Sequence, residues 1–151
     1  MFYHLFRRKM KPQQQLLTMS FTCDEEIRQW VVYDDTVNLV GYIKHVKEVA
    51  RRMTQGITPI IRIIVSNNDN SDVCINFFED QADFYRPFIR QHAIIKIVRA
   101  RSTPVEYEHV LSNDKEINDI GLTVLAETEI DLKRGSFNIG FPANVVDIPF
   151  H

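Results

Sequence analysis

Several extended stretches of the chain place cations beside aromatic rings. Tyr42 stands two residues from Lys44, Arg62 interrupts the apolar run 60–65, Asn76 precedes Phe77, and Arg99 and Arg101 lead into a segment bearing Tyr107. Arg51, Arg52, Thr54 and His109 form a secondary set on adjoining segments. Residues of these types suit one kind of chemistry. Aromatic faces stack on nucleobases, at roughly 1–3 kcal/mol per base, while lysine and arginine follow a phosphate backbone. Each also has an ordinary structural reading, as a core ring or a solvated charge.

Catalytic chemistry finds little support. His4, His45, His92, His109 and His151 are scattered, and the chain has no G-x-S-x-G, no phosphate-binding Walker loop and no H-E-x-x-H. Cys23 and Cys74 form no C-x-x-C, so neither a disulfide framework nor a zinc ribbon is indicated, and a reducing compartment fits. The run 67–72 resembles a calcium loop only faintly: it lacks the central glycine, and its twelfth position is Phe78 where a glutamate is needed. The expectation is a binding domain without cofactor or metal, and not an enzyme.

The net charge of −2 does not mark a nucleic-acid binder, but its distribution is uneven. Arg86, Arg90, Lys96, Arg99 and Arg101 occur with no acid between them, whereas Glu106, Glu108, Asp114, Glu116, Asp119, Glu127, Glu129 and Asp131 crowd the segment that follows. Segregation of this kind leaves room for one positive face. A hydrophobic content of 44% in 151 residues is enough for one folded core. No apolar run approaches the ~20 residues that cross a bilayer, and the start lacks the hydrophobic stretch of a secretory signal, so a soluble intracellular protein is expected.

The elements that must position these residues can be read from periodicity. Thr22-Cys23-Asp24-Glu25 has the form of a capping box, with Ile27, Trp30 and Val31 at helical spacing, which predicts a short helix over 24–32. Residues 36–46 alternate as a strand, with Gly41 suggesting a bulge or sharp bend. A polar loop is expected over 47–58. Runs 59–66 and 72–78 predict a hairpin across the turn-forming segment 67–71. Residues 79–91 suggest a helix broken near Pro87, followed by strands at 93–101 and 121–132. In the strand 72–78, alternation groups Phe77 with Val73 and Ile75 on the core side and sets Phe78 opposite. Arg62 and Asn76 are expected on a shared outer surface.

Three strands, a short helix and two more strands is the order of the OB-fold. The fold class expected is mainly β: a five-stranded Greek-key OB-fold barrel with a short helix between strands 3 and 4 and a short N-terminal helix. Its domain would span 21–135, with a flexible basic tail expected at 1–20 and a C-terminal extension at 136–151.

Four segments in order then carry a more specific likeness: VNLVGYIK at 37–44, TQG at 54–56, CINFF at 74–78 and IIKIVRAR at 94–101. Together they resemble the first OB-fold of the protection-of-telomeres family of telomere end-binding proteins, over roughly residues 36–132. The resemblance implies a nuclear protein at chromosome ends that holds single-stranded telomeric DNA, with other telomere-complex proteins as further partners. It makes Lys44 a DNA contact and Phe77 a base stacker, and it places Arg99, Arg101, Tyr107 and His109 against bases and phosphates. Two segments depart from the family pattern. Gln91-His92 stands where a Gly-Asp turn is usual, and Gln55-Gly56-Ile57-Thr58 replaces a K-G-T-D loop. The sequence does not specify the G-rich or the C-rich strand. The rival reading is an OB-fold protein-interaction module of a telomere or replication complex, with exposed phenylalanine and tyrosine anchoring a peptide.

Overall fold

The structure is a computed structural model that describes residues 20–53, 56–105 and 117–132. Its elements, in chain order, are α1 (Asp24–Arg28), β1 (Val37–Met53), β2 (Gly56–Ser66), β3 (Asp72–Phe78), α2 (Asp80–Tyr85) with a 3-10 turn at Arg86–Phe88, β4 (Ile94–Pro104), β5 (Ile120–Thr123) and β6 (Glu129–Leu132).

The six strands form one mixed sheet in the order β1-β2-β3-β5-β4-β6, with a further pairing between β1 and β4. The long β1 pairs with β4 through its first part and with β2 through its second, and Tyr42 has a partner on each side. The junction of β3 with β5 is parallel and spans two residue pairs, Ile75 with Leu122 and Asn76 with Thr123. The expected five-stranded barrel is therefore corrected. The stretch read as one last strand breaks after Thr123 and resumes at Glu129, because Thr128 folds back: its hydroxyl donates to the Arg99 carbonyl (2.7 Å) and accepts the Leu125 N–H (2.8 Å). The resulting β6 pairs only with β4 among the described residues and leaves a free edge, so an open mixed sheet stands in place of the expected barrel.

The core lies on one face of this sheet. Leu39 and Ile43 from β1, Ile61, Ile63 and Val65 from β2, Val73, Ile75 and Phe77 from β3, Ile95 and Ile97 from β4 and Leu122 from β5 fill it, with Ile27 and Ala82 supplied by the two helices. Parts of the outer face are covered as well, which is why β2 reads as an almost unbroken apolar run. Ile64 and Cys74 lie under Val105 and Ile117, while Tyr42 and Ile94 lie under Phe21.

Several local expectations change. Helix α1 ends at Arg28, and Thr22 makes no capping box. Its hydroxyl accepts the Val40 N–H (2.9 Å) and its N–H donates to the Val40 carbonyl (3.0 Å), so the segment before the helix lies along β1. Residues 47–53, read as loop, continue β1 as a hairpin arm with β2. The register irregularity of β1 against β2 falls between Ile43 and His45, not at Gly41. Gly41 answers instead to close approach: a Cβ there would stand 2.5 Å from the Ser66 carbonyl oxygen and 2.6 Å from Val65 Cγ1. At the turn before β4, His92 takes φ +71°, the left-handed conformation for which glycine is favoured, and its N–H reaches the Ile43 carbonyl.

Candidate nucleic-acid interface

Residues paired across neighbouring strands share a face. On β1 and β2 Lys47 is opposite Arg62; on β2 and β3 Arg62 is opposite Asn76; on β3 and β5 Asn76 is opposite Thr123; on β5 and β4 Thr123 is opposite Arg101. The register thus lays Lys47, Arg62, Asn76, Thr123 and Arg101 side by side across five strands. The inner neighbours of these positions, such as Ile61, Ile63, Ile75, Leu122, Ala100 and Ser102, are buried, so the row faces outward. At about 4.8 Å between strands, it extends for ~19 Å.

The row is polar and ordered. Arg62 Nε donates to Asn76 Oδ1 at 2.8 Å, which fixes the guanidinium against the sheet. Arg101 forms a two-pronged ion pair with Asp35, Nε to Oδ1 at 2.6 Å and Nη2 to Oδ2 at 3.1 Å. The hydrogen bond from Arg101 holds the Asp35 carboxyl below its ordinary range, and the same bond raises the guanidinium of Arg101. Both partners are about half exposed, so the pair adds little to stability and a phosphate can replace the carboxylate at small cost. Beside the row, Thr103 and Thr123 bring their hydroxyls within 3.3 Å of each other.

Of the residues expected from sequence, Arg62, Asn76 and Arg101 fall together in this row. Lys44 lies on the outer side of β1 but at another part of the sheet, with its ammonium 2.8 Å from the Asp72 carboxylate. It borders a shallow depression lined by Tyr42, Ser66, Asn68, Asp69 and Asn70. Arg99 has φ +61°, donates its N–H to Asn38 Oδ1 (3.0 Å) and pairs with Glu129 on β6 at 3.0 Å. An extra residue on β4 opposite Asn38 accounts for that backbone.

Two aromatic expectations are corrected. Tyr42 is buried, because Phe21 packs over it with ring centroids 6.4 Å apart. Phe77 is fully buried, packed among the β2 and β3 residues and 5.6 Å from the Tyr85 ring. The β2–β3 register runs unbroken from Ser66 to Ile60, so no bulge reverses the facing of Phe77 and strand alternation decides its place. Phe78 is the partly exposed one of the two. Arg51 and Arg52 belong to β1, paired through the backbone with Thr58 and Ile57, while Thr54, Tyr107 and His109 lie outside the described residues.

Sequence reasoning missed Lys47 and Thr123. Lys47 falls in a segment whose pattern reads as a loop, and the face of Thr123 depends on a parallel two-residue junction that no local pattern announces. It also missed the buried Asp24. The Asp24 carboxylate accepts hydrogen bonds from Ser71 Oγ (2.6 Å), Asn67 Nδ2 (2.7 Å) and Asn70 Nδ2 (3.2 Å), tying α1 to the β2–β3 turn. The Ser71 hydroxyl is the main reason its carboxyl is lowered to about 2, against the opposing effect of burial. Among the described residues no cluster of three or more His, Cys, Asp or Glu is placed to hold a metal ion, and no helix is long and apolar enough to cross a membrane.

No protein-family model matches the sequence, and no curated protein does. Among solved structures the fold is similar to a chain of a replication protein A heterotrimer bound to single-stranded DNA, with a TM-score of 0.59 and 15% identity over 70% of this chain. The matched part is 24% of that longer chain. A second similar structure is the OB domain of a Thermoplasma acidophilum protein, with a TM-score of 0.49, 16% identity and coverage of 77% of this chain and 88% of that one. The chain thus shares the fold of the matched part of that replication protein A chain.

Proposed function

We propose that this domain binds single-stranded DNA across the outer row Lys47, Arg62, Asn76, Thr123 and Arg101. The observation that carries the reading is the register itself, which sets three cations and two hydrogen-bonding side chains in one line over five strands. The line crosses β2 and β3, the strands on which OB-folds take oligonucleotides. A phosphate backbone laid along it would meet Lys47, Arg62 and Arg101, with Asp35 released from Arg101. Asn76 and Thr123 would offer hydrogen bonds to splayed bases or sugars. The likeness in fold to a replication protein A chain supports the class of ligand.

The finer reading is a telomeric repeat as the sequence bound, at chromosome ends in the nucleus, with other telomere-complex proteins as partners. Its support is the four sequence segments that resemble the protection-of-telomeres family. It is tested by fluorescence anisotropy with G-rich and C-rich telomeric repeats, a scrambled oligonucleotide and a duplex, at two salt concentrations. Repeat-selective, salt-sensitive binding is expected. Equal binding of the scrambled strand would reduce the function to general single-strand binding.

A second reading has its own observation. Phe84 and Phe88 are 66% and 55% exposed, with ring centroids 6.4 Å apart, on the surface of α2 and its 3-10 turn. Such a pair suits a protein contact, and binding through it would be far less sensitive to salt than binding to DNA.

A further inference from the structure

The row of cations has a polar surface but, among its own five members, no ring for a base to stack upon, and the two rings expected to serve are buried. Tyr33 lies close by in the fold. It is 69% exposed, in the turn between α1 and β1, and two residues later Asp35 holds Arg101 at the end of the row. Its φ is +65°, a left-handed conformation that is unfavourable for a non-glycine residue and persists only where its surroundings impose it.

Those surroundings are specific. The Tyr33 N–H donates to the Ser102 carbonyl (2.7 Å), and the Ser102 N–H donates to the Asp34 carbonyl (2.9 Å). The Asp34 N–H donates to Ser102 Oγ (3.0 Å), and that hydroxyl donates to the Val31 carbonyl. Asp34 Oδ1 closes the turn on Thr36, through its N–H at 2.9 Å and its hydroxyl at 2.6 Å. A fully buried serine next to Arg101 is thus engaged in locking a strained turn whose tyrosine is in solvent. A fixed turn also means that little conformational freedom would be lost when a ligand engages the ring.

We propose that Tyr33 stacks a base of the single strand at the Arg101 end of the row, an inference that rests on the single-stranded DNA reading above. The test is anisotropy with a labelled single-stranded DNA of about 12 nucleotides, within the usual site size of one such domain. The 151-residue protein and its Tyr33→Ala, Tyr33→Phe and Tyr33→Gly variants are compared at two salt concentrations. Tyr33→Ala and Tyr33→Gly should bind roughly 5- to 150-fold more weakly, and Tyr33→Phe should bind as the parent does. The salt dependence should be the same in all four, since the ring carries no charge. Tyr33→Gly should also unfold at higher denaturant concentration than the parent, because glycine accepts the positive φ, so its lost binding cannot come from lost folding. Parent-like affinity in Tyr33→Gly, or Tyr33→Phe as weak as Tyr33→Ala, would overturn the stacking role while leaving the DNA reading intact. Failure of the parent itself to bind any single strand would overturn both.

Discussion

Phe77 and Asp24 show how a residue's partners decide its part. Phe77 has the type of a base stacker but the position of a core ring, with Val73 and Ile75 inward on the same strand. Phe77→Ala should therefore destabilise the fold by about 3–5 kcal/mol, read from denaturant unfolding, because it leaves a cavity under α2. A cooperative, nearly undiminished midpoint would show that the ring is not core. Asp24 is legible in sequence only as an acid at a helix start, yet the structure buries it among Ser71, Asn67 and Asn70. With its carboxyl lowered from 3.8 to about 2, its contribution is complete above about pH 4 and is lost as pH falls through 2. Asp24→Asn should lower stability at pH 7 by about 1–3 kcal/mol and flatten the loss of stability between pH 4 and 2. An acid limb as steep in the variant as in the parent would contradict this.

At the scale of elements, β3 and the turn 67–71 were fully legible, because β-branched and aromatic runs bounded by asparagine and serine leave few alternatives. The arm at 47–53 was not, since its charged residues fall in adjacent pairs, Lys47-Glu48 and Arg51-Arg52, and give no strand alternation; β1 is held there by backbone pairing with β2. The split of the last segment into β5 and β6 was equally hidden, as it follows from the Thr128 hydroxyl reaching Arg99 across the chain. Gly41 was read as a bend and proves to be a place where strands come too close for a side chain. Gly41→Ala should cost at least about 1–3 kcal/mol, because the nearest obstruction, the Ser66 carbonyl oxygen, belongs to the β2 backbone and cannot swing aside. A neutral effect in thermal or denaturant unfolding would show that the β1–β2 approach is looser than described.

For the whole molecule, composition and strand order were enough to indicate a mainly β domain with two short helices, and cations with asparagine on its outer strands were visible as candidates. Their assembly into a line was not, because it depends on four independent registers, one of them parallel, which alternation within single strands cannot supply. The same gap explains why Tyr42 was mistaken for a surface ring: the segment that covers it lies at Phe21, before the first strand. A net charge of −2 is compatible with a binding face of this kind, since three cations lie in one outward row and Arg101 is matched there by an exposed, replaceable carboxylate.

The most direct test of the DNA-binding row is the salt dependence of single-strand affinity in the parent protein and in Lys47→Ala, Arg62→Ala and Arg101→Ala. Three phosphate contacts predict a log–log slope of about −2 in the parent, and each substitution should reduce its magnitude by about 0.7 while weakening binding. Parent-like affinity and slope in all three variants would contradict the placement of the strand along this row.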